Sequence, residues 1–239
     1  MCAADGIFYP GYEPSKKKKG NKNEDEDKNK DKNKNEDIIL PSIEEQIGAH
    51  TTECKKTLVV FVGGAADSLF KPLLNHVFGK YEKLYGRGEN RLQDVCYSEH
   101  GGGKVVALIK KWFDAKQKIV LVGHSWGGHR VICLAEENPD IIIELLVTLD
   151  PVSWSKSGKQ AKPKNVKRWL NVYVDYKTAS WWRSDNLIAR IGGPWEECQN
   201  ADENMIINKD INGNNIDFGH ADAEPMFELK GAKDEVLKL

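Results

Sequence analysis

The sequence predicts an α/β fold in which a mostly parallel central sheet carries helices on both faces. Three observations predict it. Thr57-Leu58-Val59-Val60-Phe61-Val62 is an unbroken β-branched and aromatic run, the pattern of a strand buried on both sides. Similar apolar runs recur downstream. Stretches with helical spacing separate them, and that alternation requires right-handed crossovers between parallel neighbours.

Taken in order, Leu69 to Leu84 places apolar residues on one helical stripe through Leu73, Leu74, Val77, Phe78 and Tyr81. Asp94 to Tyr97 is a short strand, and Lys104 to Phe113 is a helix with Val105, Leu108, Ile109 and Trp112 on its inner side. Ile119 to Val122 is a second buried strand, and Gly128 to Glu137 follows as a helix. Leu145 to Leu149 and Trp169 to Val174 supply two more strands. Residues 223–239 form a closing helix whose limits are blurred by Pro225 and Gly231.

Composition bounds the function. The chain has 239 residues, a hydrophobic fraction of 40% and a formal net charge of -1, enough for one sizeable domain. Near-neutrality argues against nucleic acid as a partner, because neutralising phosphates needs a clear basic excess. No apolar run reaches transmembrane length, and the N-terminus has neither the basic nor the apolar region of a secretory signal. The expected location is therefore cytoplasmic, with export by a signal-independent route as the alternative. Cys2, Cys54, Cys96, Cys133 and Cys198 are odd in number and scattered, as reduced thiols are; no C-x-x-C pair points to zinc, and no metal or cofactor is expected.

Residues 16–37 stand apart. Nine lysines nearly balance seven acids there and no apolar residue occurs, so the segment is expected to be disordered, most simply a solvated spacer. Residues 1–15 are expected to form an N-terminal strand or arm. Residues 38–239 are then the folded domain, with a Trp-rich insertion near 178–197.

The chemistry centres on Gly123-His124-Ser125-Trp126-Gly127-Gly128, set between a strand and a helix. A G-x-S-x-G sequence in that setting is a nucleophile elbow, a tight turn that lifts the serine hydroxyl above the sheet. Its glycines allow a strained apex and close packing. An alcohol is a poor nucleophile at neutral pH, so Ser125 needs a base, and the base needs an acid to orient it. Around such elbows the order is serine, acid, histidine, each beyond the C-terminal end of a strand.

Asp150 ends the next strand in Thr148-Leu149-Asp150-Pro151 and is the preferred acid. Asp175, ending the strand after that, is the alternative acid. His50, His76 and His100 precede the serine, and His124 and His129 flank it too closely to face its hydroxyl, so those two are expected to be packing or surface residues. His220 remains as the base. An oxyanion hole would use the backbone N–H of Trp126 and a second N–H, from Gly64 or Ala65, in the small-residue loop Gly63-Gly64-Ala65-Ala66.

These residues carry a resemblance to the α/β-hydrolase superfamily, and within it to lipases. Gly123-His124-Ser125-Trp126-Gly127-Gly128 is similar to the G-H-S-x-G-[GA] elbow of many lipases, and Leu149-Asp150-Pro151 resembles the L-D-P acid motif of pancreatic-type and some bacterial lipase-like proteins. The likeness spans roughly residues 56–225. It implies an α/β-hydrolase fold and hydrolysis of a carboxylic ester through an acyl-enzyme. The missing signal sequence and disulfide set depart from secreted digestive lipases. They fit an intracellular enzyme or a bacterial effector lipase with antibacterial action, for which an inhibitor protein would be a partner.

The insertion hints at the substrate. Trp181, Trp182, Leu187, Ile188 and Ile191, with Arg183 and Arg190 among them, have the composition of a membrane-facing belt, so Trp181, Trp182 and Ile188 are expected to contact lipid. The basic stretch Lys156 to Arg168 would add attraction to anionic headgroups during transient contact with a membrane surface. An acyl ester or lipid is therefore the expected substrate. The alternative is a non-catalytic protein of the same fold that binds a hydrophobic ligand or a partner.

Overall fold

A computed structural model describes residues 57–68, 71–86, 92–101, 104–155, 157–210 and 212–239. The expected N-terminal arm at 1–15 and the charged segment at 16–37 lie outside the described residues, as do Cys2, Cys54, His50 and Lys156.

Among the described residues six strands form one sheet: β1 (Thr57–Gly63), β2 (Asp94–Glu99), β3 (Lys118–His124), β4 (Ile143–Leu149), β5 (Val166–Tyr173) and β6 (Glu203–Ile206). Their order is β2-β1-β3-β4-β5-β6 and every described pairing is parallel. All C-terminal strand ends therefore open on the same edge. At that edge His124 of β3 pairs with Leu149 of β4, so Ser125 and Asp150 leave adjacent strands at one level.

Helices cover both faces. On one side Leu58, Val60 and Val62 pack with Val105, Leu108, Ile109 and Trp112 of α2 (Lys104–Asp114) and with Val131, Ile132 and Leu134 of α3 (Trp126–Glu137). On the other, Phe61 projects between Phe78, Tyr81 and Phe227, its ring centroid 5.4–6.0 Å from theirs. Alternate residues of one strand thus feed two cores, which is why β1 is apolar from Leu58 to Val62.

Sequence periodicity predicts an ordinary amphipathic helix for the first helical run, α1. Its bonding is instead π-type over Pro72–Phe78, α-type over Gly79–Tyr81 and π-type again over Glu82–Gly86. The insertion holds α4 (Ser184–Gly192). The expected closing helix is two short ones, α5 (Ala223–Glu228) and α6 (Ala232–Leu237), parted where Gly231 adopts φ 75°. Strand β6 is not predicted by the sequence. It is a four-residue edge strand, Glu-Asn-Met-Ile, with no fully buried residue to give it an apolar signature. No helix among the described residues is long and apolar enough to cross a membrane.

Candidate active site

The elbow is built by close backbone approach. Ser125 sits at φ 60°, ψ -128°, a conformation L-residues rarely adopt, between the end of β3 and the first turn of α3. A side chain at Gly127 would place its Cβ 2.0 Å from the Val62 carbonyl oxygen, so only glycine lets α3 begin against β1. The peptide of Ser125 is anchored as well: its N–H donates to the Leu149 carbonyl at 3.0 Å, and its carbonyl accepts from Gly128 and Val152.

Ser125, His220 and Asp150 converge although 95 residues separate the serine from the histidine. The Ser125 hydroxyl donates to His220 Nε2 at 2.9 Å, and His220 Nδ1–H donates to Asp150 Oδ2 at 2.6 Å. A carboxylate only accepts, so the proton belongs on Nδ1 and the Nε2 lone pair faces the hydroxyl. All three are buried, at 2%, 1% and 0% exposure respectively.

Asp150 is itself tightly held. It has φ 44°, its Oδ1 accepts the Val174 N–H at 3.1 Å, and its Oδ2 also accepts the Tyr176 hydroxyl at 2.5 Å. Burial, then the neighbouring carboxylate, push the Tyr176 phenol well above its ordinary range, so it stays a donor. Tyr176 belongs to no motif, and the sequence does not single it out.

The alternative acid has a different occupation. Asp175 Oδ2 accepts from the Thr178 hydroxyl at 2.9 Å and its Oδ1 from the Lys177 N–H at 3.1 Å, capping the turn after β5. It makes no hydrogen bond to His220 among those of the described residues.

On the oxyanion side, Gly64 lies against the elbow: a Cβ there would come within 2.6 Å of Ser125 Cβ and 2.9 Å of the Trp126 nitrogen. The Gly64 N–H itself donates to Asp67 Oδ2 at 2.9 Å. Gly64 and Ala65 both stay candidates for the second donor, on a loop that the Asp67 carboxylate fixes against the elbow. The Trp126 N–H belongs to the first turn of α3, where the helix dipole favours a developing anion.

His124, expected to be a packing or surface residue, is fully buried, and its Nε2 stands 2.8 Å from the His220 carbonyl oxygen. His129 is paired instead with Cys133 (Nε2–Sγ 3.2 Å) and lies edge-on to Trp195. His76 is exposed on α1.

The insertion holds the histidine loop. Asn186 Oδ1 accepts the His220 N–H at 2.9 Å, and Asp185 accepts the Ala221 N–H at 2.9 Å. Arg183 bridges Asp185 and Asp222 at 2.9 and 2.8 Å. Trp181 stacks over the Arg190 guanidinium, 3.9 Å from its ring centroid, and Arg190 in turn donates to the Tyr176 carbonyl at 2.9 Å. Trp181, Trp182, Leu187, Ile188 and Ile191 leave much of their surface exposed, Trp182 almost all of it at 97%. The basic stretch before β5 is partly neutralised: Lys162 pairs with Asp202 at 2.8 Å, Lys167 with Glu144 at 2.7 Å, and Arg168 with Glu203 and Glu235. Lys167 and Arg168 begin β5, at the edge of the sheet opposite the triad.

A parallel sheet in this order, with serine, acid and histidine in that chain order after β3, β4 and β6 and the serine on an elbow, is the α/β-hydrolase fold. No family model matches the sequence, and no curated protein sequence matches it. Several solved structures are similar. Est1E from Butyrivibrio proteoclasticus is 12% identical with a TM-score of 0.42, over 79% of this chain and 88% of that one. A CIB-like hydrolase from Thermoplasma acidophilum is 15% identical with a TM-score of 0.40, over 79% and 89%. The type II thioesterase BorB from the borrelidin biosynthetic cluster is 13% identical with a TM-score of 0.39, over 79% and 93%. The fold assignment rests on the strand order and the elbow themselves.

Proposed function

We propose that the protein is a serine carboxylic-ester hydrolase working through an acyl-enzyme. The observation that carries this reading is the unbroken hydrogen-bonded line from Ser125 Oγ through His220 to Asp150. In the proposed reaction His220 Nε2 takes the hydroxyl proton as Ser125 Oγ attacks the ester carbonyl. The Trp126 N–H and a second N–H from the Gly64-Ala65 loop receive the oxyanion. His220 then protonates the departing alkoxide, and a water activated by the same nitrogen releases the acid. Asp150 holds the tautomer and balances the imidazolium.

For the substrate, we favour a lipid acyl ester, a glyceride or phospholipid. The exposed Trp182, Leu187, Ile188 and Ile191 on the element that holds the histidine loop support it, since an apolar face beside a buried serine suits a long acyl chain. Hydrolysis of p-nitrophenyl esters and of phospholipid and triglyceride dispersions of graded chain length tests both levels. Turnover lost in Ser125→Ala and rising with chain length supports the reading. Binding of these lipids without turnover would leave a non-catalytic carrier.

A further inference from the structure

His124 lies inside the elbow motif, yet the reaction proposed above gives it no task. Its surroundings specify one. The His220 carbonyl oxygen, 2.8 Å from His124 Nε2, can only accept, so Nε2 carries a proton. The other nitrogen, Nδ1, has no hydrogen-bond partner and stands 3.6 Å from Asp67 Oδ2, with both side chains fully buried. A lone pair aimed at a buried carboxylate is repelled, whereas a proton there is attracted. Both ring nitrogens are thus asked to be protonated, and the His124 ring lies 5.0 Å from that of His220.

Asp67 is equally committed. Its carboxylate accepts from the Gly64 N–H at 2.9 Å, the Leu73 N–H at 2.6 Å and the Leu74 N–H at 3.2 Å. It therefore fixes the oxyanion loop and the start of α1 together. We propose that His124 is a positioning residue for the base, held as an imidazolium between Asp67 and the His220 carbonyl. One buried ion pair then ties the oxyanion loop to the histidine loop. Asn186 accepts the N–H of the same residue, so the His220 backbone is held at both its N–H and its carbonyl.

The electrostatics agree in direction. Burial disfavours the His124 cation, but Asp67, the His220 carbonyl and Asp150 hold its pKa above the ordinary 6.5. Burial likewise opposes the Asp67 anion, and His124 with the loop N–H groups holds its pKa below the ordinary 3.8. The groups facing the pair are His220 and Asp150 on the site side, with Tyr97 of β2 and His100 after it near Asp67.

This inference rests on the ester-hydrolase reading, and a short soluble ester tests the two separately. His124→Gln keeps a donor for the carbonyl and loses the charge; His124→Leu loses both; Asp67→Asn removes the counter-ion. The expected losses in kcat are about 10-fold for His124→Gln and Asp67→Asn and more for His124→Leu, with KM within about 2-fold. The double variant His124→Gln/Asp67→Asn should be no worse than its poorer single variant, as a coupled pair requires. Wild-type kcat should also fall at alkaline pH, as His124 loses its proton above 6.5, and that limb should vanish in His124→Gln. Thermal melts and active-site titration with a fluorophosphonate normalise each rate to folded sites. Wild-type kcat without an alkaline limb, or an unchanged limb and kcat in folded His124→Gln, would overturn the inference. A wild type that neither turns over the ester nor reacts with the fluorophosphonate overturns the hydrolase reading instead.

Discussion

Asp150 accepts three hydrogen bonds inside the fold, from His220, Tyr176 and Val174, whereas Asp175 spends its oxygens on the turn that follows β5. The two carboxylates therefore predict opposite phenotypes. Asp150→Asn should lower kcat by on the order of 10⁴-fold, because an amide no longer fixes the His220 tautomer. Asp175→Asn should leave kcat within a few-fold and cost about 1 kcal/mol of stability, the worth of a turn hydrogen bond. Steady-state kinetics and melts on the pair separate them, and equal kcat losses would break the assignment. Tyr176→Phe removes one donor from Asp150 and should cost roughly 10-fold in kcat with KM unchanged, since a bond to a charged group is worth about 1.5–3 kcal/mol. At this scale the sequence was legible wherever the chemistry demands a particular order. Ser125 and Asp150 could be picked out because each follows an apolar strand, and His220 because it is the one histidine after Ser125 that does not flank it. Tyr176, Asn186 and Asp67 could not, because their partners Asp150, His220 and His124 lie far along the chain and no local pattern marks a long-range contact.

The elements place these residues through packing. Phe61 joins the β1 strand to Phe78, Tyr81 and Phe227, so Phe61→Ala should destabilise the fold by about 3–5 kcal/mol, read by denaturant unfolding. Gly127→Ala forces a methyl into the Val62 carbonyl and should cost at least about 1–3 kcal/mol while displacing the elbow, so that activity falls further than the melt alone accounts for. A Gly127→Ala variant with wild-type melting and turnover would contradict the close approach. Strands β1 and β3 were legible from unbroken apolar runs, and β2, β4 and β5 from the shorter apolar stretches within them. Strand β6 was not, because at the sheet edge its Glu203 and Asn204 serve ion pairing and hydrogen bonding rather than burial. The π-type bonding of α1 also left no mark, since the apolar stripe needed to face the sheet is the same for either helix.

For the molecule as a whole, the buried His124–Asp67 pair sets a stability window. A carboxylate held below its ordinary 3.8 adds stability that is present above that pH and lost as the pH falls through its lowered value. A histidine held above 6.5 adds stability that is complete below that pH and lost as the pH rises through its raised value. Melting temperature should thus peak between these limits and decline on the alkaline side, and the decline should flatten in His124→Gln. A wild-type melt that rises steadily with pH would contradict this.

At the same scale, the exposed face on α4 and the residues just before it predicts that Trp181→Ser/Trp182→Ser leaves kcat on a soluble ester within a few-fold but lowers turnover of dispersed lipid by about 10-fold. Equal losses on both substrates would argue against a lipid-facing role. The central claim, that Ser125 is a nucleophile activated by His220, is tested most directly by reaction with a fluorophosphonate followed by peptide mass spectrometry. One adduct is expected, on the peptide carrying Ser125, formed by wild type, absent in Ser125→Ala and strongly slowed in His220→Ala. No adduct on folded wild type, or an adduct that persists in Ser125→Ala, would contradict it.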